Sequence, residues 1–410
     1  MDFNDTPEEA AFRAEVRAFL DAAAERRTPD RHSFSVGYGS DDLVPVAKDF
    51  QRRKAAAGLA GITWPVEYGG RGMPQIHQVI YNQEEGEYLV PRGVFEIGLG
   101  MCIPTMMTFA TEEQKQRFVG PALRGEEVWC QLFSEPAGGS DVAGLRTRAV
   151  RDGDDWIING QKIWTSGAHF SDWGIIVVRT DPSAPKHKGL SFFFLDMKSP
   201  GIEVKRIKQI AGTSNFNEVF FTDVRIPDAQ RLGKVGEGWR VAIATLMNER
   251  LAVGQTPAPD FAEIFQLCRQ LELEDGPAIR SPLVRDRLAD WYVQQQGLKF
   301  ARFRTMTALS RGETPGPESS MTKIVSANKR QAIAQFGIEL MEAAGSVSDP
   351  SLAPMKAMMQ EAILSSPGNR IAGGTDEILR NIIAERVLGL PQDVRVDKDI
   401  PFQDLVAQGR

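Results

Sequence analysis

Near Trp129 the spacing of apolar residues changes from every third or fourth position to every second, and beyond Gly238 it changes back. A chain with such a block can be neither one helical bundle nor one sheet; it needs a helical part, a β part and a second helical part. At 410 residues it also exceeds the size at which a single core stops growing, so two or three domains are expected. The expected class is α+β, with an N-terminal helical domain over 1–127, a middle β-domain over 128–236 and a C-terminal helical bundle over 237–410.

Local signals fill in this outline. Thr6-Pro7-Glu8-Glu9 is a capping box with proline at the first helical position, and Phe12, Val16, Phe19 and Leu20 then share one helical face. The glycines from Trp64 to Gly72 mark a loop, and Thr111 with Gln114 opens another capped helix. In the β block, Asn159-Gly160 between Trp156-Ile157-Ile158 and Gln161–Trp164 predicts a tight hairpin. Strands are expected at 174–179, 190–195, 202–207 and 218–221. Further on, Val284, Leu288 and Trp291 predict a long helix to about Ser310, followed by a turn-rich connector at 312–317. A second long helix is expected over 327–344, then a loop to Pro354, a last helix from about Thr375 and a polar, peripheral tail after Pro391.

Charge and composition narrow the function. A net charge of −6 argues against nucleic acid or an anionic membrane as partner, and no apolar run is long enough to span a bilayer. The acidic start, Met1-Asp2-Phe3-Asn4-Asp5, has no signal-peptide character. Cys102, Cys130 and Cys268 are an odd, scattered set, which points to free thiols in a reducing cytoplasm. The four histidines lack ligand spacing, so no metal is expected. Neither the dinucleotide fingerprint G-x-G-x-x-G/A nor a P-loop occurs, which argues against a Rossmann dehydrogenase.

The stretch from Ser134 to Ser166 carries the strongest chemical signal. It opens with Ser134-Glu135-Pro136-Ala137-Gly138-Gly139-Ser140-Asp141 and closes with Lys162-Ile163-Trp164-Thr165-Ser166. A flat redox ring needs a stacking wall and hydrogen-bonding groups at its edge, and this block holds both. By itself Gly-Gly-Ser-Asp is a plain turn and Trp164 a core residue; the two together at this spacing favour a cofactor site. The block resembles the flavin-embracing segment of the acyl-CoA dehydrogenase family, written Glu-Pro-x-Ala-Gly-Ser-Asp there, with Gly138 replacing the alanine. The resemblance extends along essentially the whole chain. It implies FAD held by Gln131, Phe133, Ser134, Gly139, Ser140, Trp164, Thr165 and Ser166, with Thr375 and Glu377 also touching the flavin. Trp164 would wall one face of the ring, Ser166 would bond near N5, and Ser140 would meet cofactor and thioester together.

The resemblance also implies a carboxylate that removes the α-proton while a hydride leaves Cβ. Most members keep that glutamate just before Gly-Thr, where this chain has Gly373 in Ile371-Ala372-Gly373-Gly374-Thr375. Isovaleryl-CoA and long-chain types carry it instead on a distant helix before an arginine, and Glu249-Arg250 stands at that position. A lone Glu-Arg pair is commonly a solvated helix surface; with glycine at 373, Glu249 becomes the expected base, and Asp376 and Glu377 are its rivals. Ser140, Asn248, Arg250, Gly373 and Gly374 would line the substrate, the Gly373 N–H donating to the thioester carbonyl.

Two departures bear on specificity. The signatures that hold the adenine end of FAD in many homotetrameric members are missing near Cys268–Leu271 and at Leu340–Gly345. Pro257 and Pro259 must stop or kink the helix of Glu249, a break that either opens the pocket for a bulky or ring-bearing acyl group, with similar departures in members that act on steroid side chains, or is equally a local loop with no bearing on substrate. The implied activity is dehydrogenation of an acyl-CoA, branched or ring-bearing, to the trans-2-enoyl-CoA. An electron-transfer flavoprotein would accept the electrons, and the assembly would be a homodimer, homotetramer or mixed oligomer. The alternatives are a flavin monooxygenase or oxidase on the same fold and a non-catalytic subunit of a heteromeric dehydrogenase.

Overall fold

In this computed structural model, which describes residues 5–28, 41–252, 258–310, 316, 319–394 and 397–407, the change of spacing near Trp129 coincides with a change from helix to strand. Residues 249–252, 306, 309, 310, 319 and 407 are described in backbone only. By its contacts the chain divides into two units, Met1–Val253 with Val394–Arg410, and Gly254–Asp393. It is about helices first, then a curled sheet, then helices: the α+β class expected.

The first unit begins with α1 (Pro7–Ala23), α2 (Leu43–Ala56), α3 (Gln75–Glu85), α4 (Ile103–Phe109) and α5 (Glu112–Leu123). Both predicted capping boxes form: Thr6 accepts from the Glu9 N–H, Thr111 accepts from the Gln114 N–H, and both side chains at the third helical position return the bond. The apolar stripe of α1 buries Phe12, Val16 and Leu20 against Ile80 and Tyr81 of α3. Beside it, Glu84 takes Arg13 at 2.8 Å and Arg17 at 2.7 Å.

The sheet comprises β1 (Trp129–Leu132), β2 (Arg148–Asp152), β3 (Asp155–Ser166), β4 (Trp173–Arg179), β5 (Leu190–Asp196), β6 (Ile202–Ile207) and β7 (Phe216–Pro227). Their order is β1-β4-β2-β3-β7-β6, with β5 pairing the other side of β4. Ile175–Val178 and Phe192–Leu195 are unbroken apolar runs because β4 and β5 are covered on both faces. Ile175, Val177, Phe192 and Phe194 pack with Phe118 of α5 and Trp129, while Ile176, Val178, Phe193 and Leu195 pack inside the curl with Trp156, Val219 and Phe221. The first unit also contains α6 (Gly238–Ala252), which buries Val241 and Ala242 in the former cluster and meets α4 through a Thr245–Thr105 hydroxyl bond of 2.9 Å.

Two expectations are corrected here. Asn159-Gly160 is no turn: β3 runs straight through it, and the hairpin turns at Gly153-Asp154, where Gly153 takes φ +64°. Asn159 instead exchanges two hydrogen bonds with Asp223 on β7, at a register shift. Gly160 serves close approach, since a Cβ there would stand 2.5 Å from Thr147 Oγ1. The tail after Pro391 is not wholly peripheral either. A short helix, Phe402–Ala407, buries Phe402 and Leu405, and the Arg179 guanidinium lies 3.5 Å from the Phe402 ring.

The second unit holds α7 (Phe261–Gln270), α8 (Pro282–Ser310), α9 (Ser319–Leu340), α10 (Met358–Asn369) and α11 (Asp376–Arg386). Ile264, Leu267, Val284, Leu288, Trp291, Ile333 and Met359 form its core. The helix expected over 327–344 begins earlier and ends earlier; Glu342, at φ +48°, cannot continue it. α11 starts where expected, and Thr375 caps it by accepting from the Ile378 N–H at 3.2 Å. Of the connector at 312–317 only Gly316 is described. Among the described residues, no helix is long and apolar enough to cross a membrane.

Candidate active site

Residues 131–141 and 162–166 lie more than twenty positions apart, and a buried brace joins them. Lys162, wholly buried, directs Nζ to Glu135 Oε1 at 2.8 Å and to the Phe133 carbonyl at 3.0 Å. The Ile163 N–H donates to the Ser134 carbonyl at 2.9 Å. The Glu135 carboxylate also accepts from the Arg146 and Thr147 N–H groups at 2.6 and 3.0 Å. Burial alone would raise the Glu135 pKa, but the Lys162 charge and these donors outweigh it and hold the carboxyl below its ordinary 4.5. Glu135 and Lys162 were not singled out in the sequence, where nothing marks a pair so far apart.

The loop that follows is shaped by reciprocal bonds between Glu135 and Gly138, each N–H donating to the other carbonyl at 3.0 Å. This leaves Gly139 and Ser140 exposed and Ser134 half-buried beside them. On the other limb β3 leaves register between Lys162 and Thr165. There Trp164 takes φ +59°, unusual for so bulky a residue, and presents a ring that is 55% exposed, edge-on to Phe216 at 6.0 Å. Such local strain is found at functional sites more than elsewhere.

The donor set suits a flat, polar-edged ring. Gln131 Oε1 and Thr165 Oγ1 are both buried without a hydrogen-bond partner, an arrangement that costs free energy unless a ligand supplies one. They flank the limbs that also hold Phe133, Ser134, Gly139, Ser140, Trp164 and Ser166. All of these belong to the first unit, so its fold alone gathers eight of the residues expected to hold the cofactor.

Asn248, Glu249 and Arg250 lie in the last turns of α6, and the side chains of the latter two lie outside the described residues. The described part of α6 reaches Ala252; Pro257 lies outside the described residues, and α7 starts behind its own cap at Asp260.

Gly373, Gly374, Thr375 and Glu377 belong to the second unit. Gly373 and Gly374 take φ +66° and +89°, a conformation that favours glycine. Lys323 Nζ donates to the Gly374 carbonyl at 2.6 Å, which fixes the turn from α9. Asp376 is buried and accepts from Arg370 at 2.8 Å and Asn328 at 3.0 Å. Desolvation works against its charge, but Arg370, Asn328 and Lys323 prevail and hold it below the usual carboxylate range. A carboxylate so occupied is a poor proton acceptor near neutrality. Glu377 is exposed. A groove of about 360 Å³ beside this cluster is lined by Asn328, Gln331, Ala332, Gln335, Ile363 and Arg370.

Comparison with known proteins agrees with this layout. The N-terminal, middle and C-terminal domain models of the acyl-CoA dehydrogenases match residues 6–126, 130–224 and 236–388. Acyl-CoA dehydrogenase IpdE1 of Mycobacterium tuberculosis is 37% identical over 84% of this chain and 88% of its own length. Acyl-CoA dehydrogenase FadE34 of the same organism is 39% identical over 82% of this chain, which spans only 45% of FadE34. Among solved structures, the Tcur3481-Tcur3483 steroid ACAD has a TM-score of 0.76 at 27% identity, covering 96% of this chain and 100% of that one. The chain belongs to the acyl-CoA dehydrogenase family, whose members are flavin-dependent oxidoreductases.

Proposed function

We propose that this chain dehydrogenates an acyl-CoA thioester between Cα and Cβ, using FAD and giving the trans-2-enoyl-CoA. The observation that carries the reading is the braced pair of limbs, 131–141 and 162–166, with two buried, unpartnered oxygens and an exposed tryptophan. FAD, when bound, supplies the hydride acceptor. Trp164 walls its ring; Gln131, Ser134, Thr165 and Ser166 bond its edge, with Phe133, Gly139 and Ser140 shaping the approach. Thr375 and Glu377 are assigned to the flavin from their positions in the sequence.

Glu249 takes the α-proton, an assignment supported by Gly373 standing where most relatives keep the base and by the engagement of Asp376 with Arg370 and Asn328. Asn248 and Arg250 orient the ligand with Ser140. The Gly373 N–H, with Gly374 shaping the turn, donates to the thioester carbonyl, where negative charge develops as the proton leaves. A bulky or ring-bearing acyl group is supported by the likeness to a steroid ACAD. The domain division at 127/128 and 236/237, a cytoplasmic location, an oligomeric assembly of like or unlike subunits and an electron-transfer flavoprotein as acceptor complete the reading. Three free, buried cysteines support the reducing compartment.

The test is anaerobic mixing of the purified chain with short, branched and ring-bearing CoA thioesters. The expected result is co-purified FAD whose visible band bleaches fastest with a ring-bearing thioester. A chain that takes no FAD would favour the non-catalytic subunit, and an air-dependent oxygenated product would favour the monooxygenase.

A further inference from the structure

Trp164 can face a cofactor only while β3 keeps its bulge, because a one-residue slip in a strand turns each side chain to the opposite face. A left-handed tryptophan also costs conformational energy, so something must hold it. The holding contact lies on β7. Asn217, fully buried, pairs with Thr165 in the sheet and also donates from Nδ2 to the Thr165 carbonyl at 2.8 Å. Its Oδ1 faces Nδ1 of His169 at 3.0 Å, and His169 Nε2 lies 2.7 Å from the Arg206 guanidinium. Arg206 in turn pairs with Asp41 at 2.6 Å.

The donor roles in this chain have one solution. A guanidinium only donates, so His169 Nε2 accepts and its proton sits on Nδ1. Nδ1–H then donates to Asn217 Oδ1, which turns the amide nitrogen toward Thr165. A neutral ring is required, and burial together with the neighbouring Arg206 holds the His169 pKa below its ordinary 6.5. Past the two paired residues that follow the bulge, the Gly167 N–H donates to the Asn215 carbonyl at 3.0 Å.

We propose that Asn217, oriented by His169, is a positioning residue that locks the Ile163–Trp164 bulge in its cofactor-facing form. The inference rests on the flavin reading above. It is tested by titrating apoprotein with FAD and by measuring the visible spectrum and midpoint potential of the bound flavin, in the full chain and in N217L, H169F and H169Q. Wild type is expected to bind. N217L should bind about tenfold more weakly, the effect of roughly one net hydrogen bond, with a shifted spectrum or potential. H169F should follow it to a lesser degree. H169Q, whose amide N–H can replace Nδ1–H, should restore wild-type binding. Wild-type affinity, spectrum and potential in both N217L and H169F would overturn the proposal while leaving the flavin reading intact. Failure of the wild type itself to bind FAD would overturn both. Losses of FAD in proportion only to the fraction unfolded, with no recovery in H169Q, would show a merely structural role and overturn it too.

Discussion

Lys162→Met is expected to destabilise the folded chain by about 3–5 kcal/mol, the usual cost of removing one partner from a buried ion pair. The ammonium is wholly enclosed and touches only Glu135 and the Phe133 carbonyl among the contacts described above. Its loss strands a carboxylate that retains just the Arg146 and Thr147 N–H groups. Adding Glu135→Gln, which removes the stranded charge and keeps the shape, should recover a large part of the loss. Urea unfolding of the two variants checks both statements. The pH dependence should reverse as well. In the wild type Glu135 titrates below its ordinary 4.5 in the folded chain, so its contribution is complete above that value and is lost as the pH falls further through the folded pKa. In Lys162→Met burial dominates, the folded pKa rises above the unfolded one, and stability should increase as the pH falls toward 4.5. Because the same brace joins the two limbs, FAD should be retained poorly even where the variant is folded.

Glu249→Gln is expected to keep FAD and to slow anaerobic flavin bleaching by thioester about a hundred- to ten-thousand-fold, the span associated with a general base. Glutamine preserves the size of the side chain and cannot take a proton. The rivals should behave otherwise. Asp376→Asn breaks a buried cluster with Arg370 and Asn328, so its effect should fall on the stability of the second unit. Glu377→Gln alters an exposed residue assigned to the flavin, so it should weaken FAD binding while the FAD-loaded fraction bleaches within a few-fold of the wild-type rate. A wild-type bleaching rate in Glu249→Gln would remove the assignment.

The legible parts of the fold were those in which local chemistry and tertiary packing agree. The capping boxes at Thr6 and Thr111 form because their partners lie three residues away, and the runs Ile175–Val178 and Phe192–Leu195 mark strands covered on both faces. Asn159-Gly160 misled because its turn propensity is overridden by Asp223 across the sheet and by the close passage of Thr147. The tail looked peripheral because the Phe402–Arg179 contact joins residues more than two hundred positions apart. At the site, the glycines, hydroxyls and Trp164 were visible as residue types. The brace of Glu135 with Lys162 and the link from His169 through Asn217 were not, since each joins a loop or turn to a strand that only the folded sheet brings beside it.

The most direct measurement of the central claim is a single anaerobic turnover with a ring-bearing acyl-CoA, followed by mass analysis of the thioester. The account predicts that the thioester loses two hydrogens, with one product molecule formed for each flavin bleached. Recovery of unchanged thioester beside fully oxidised flavin, across short, branched and ring-bearing acyl groups, would contradict it.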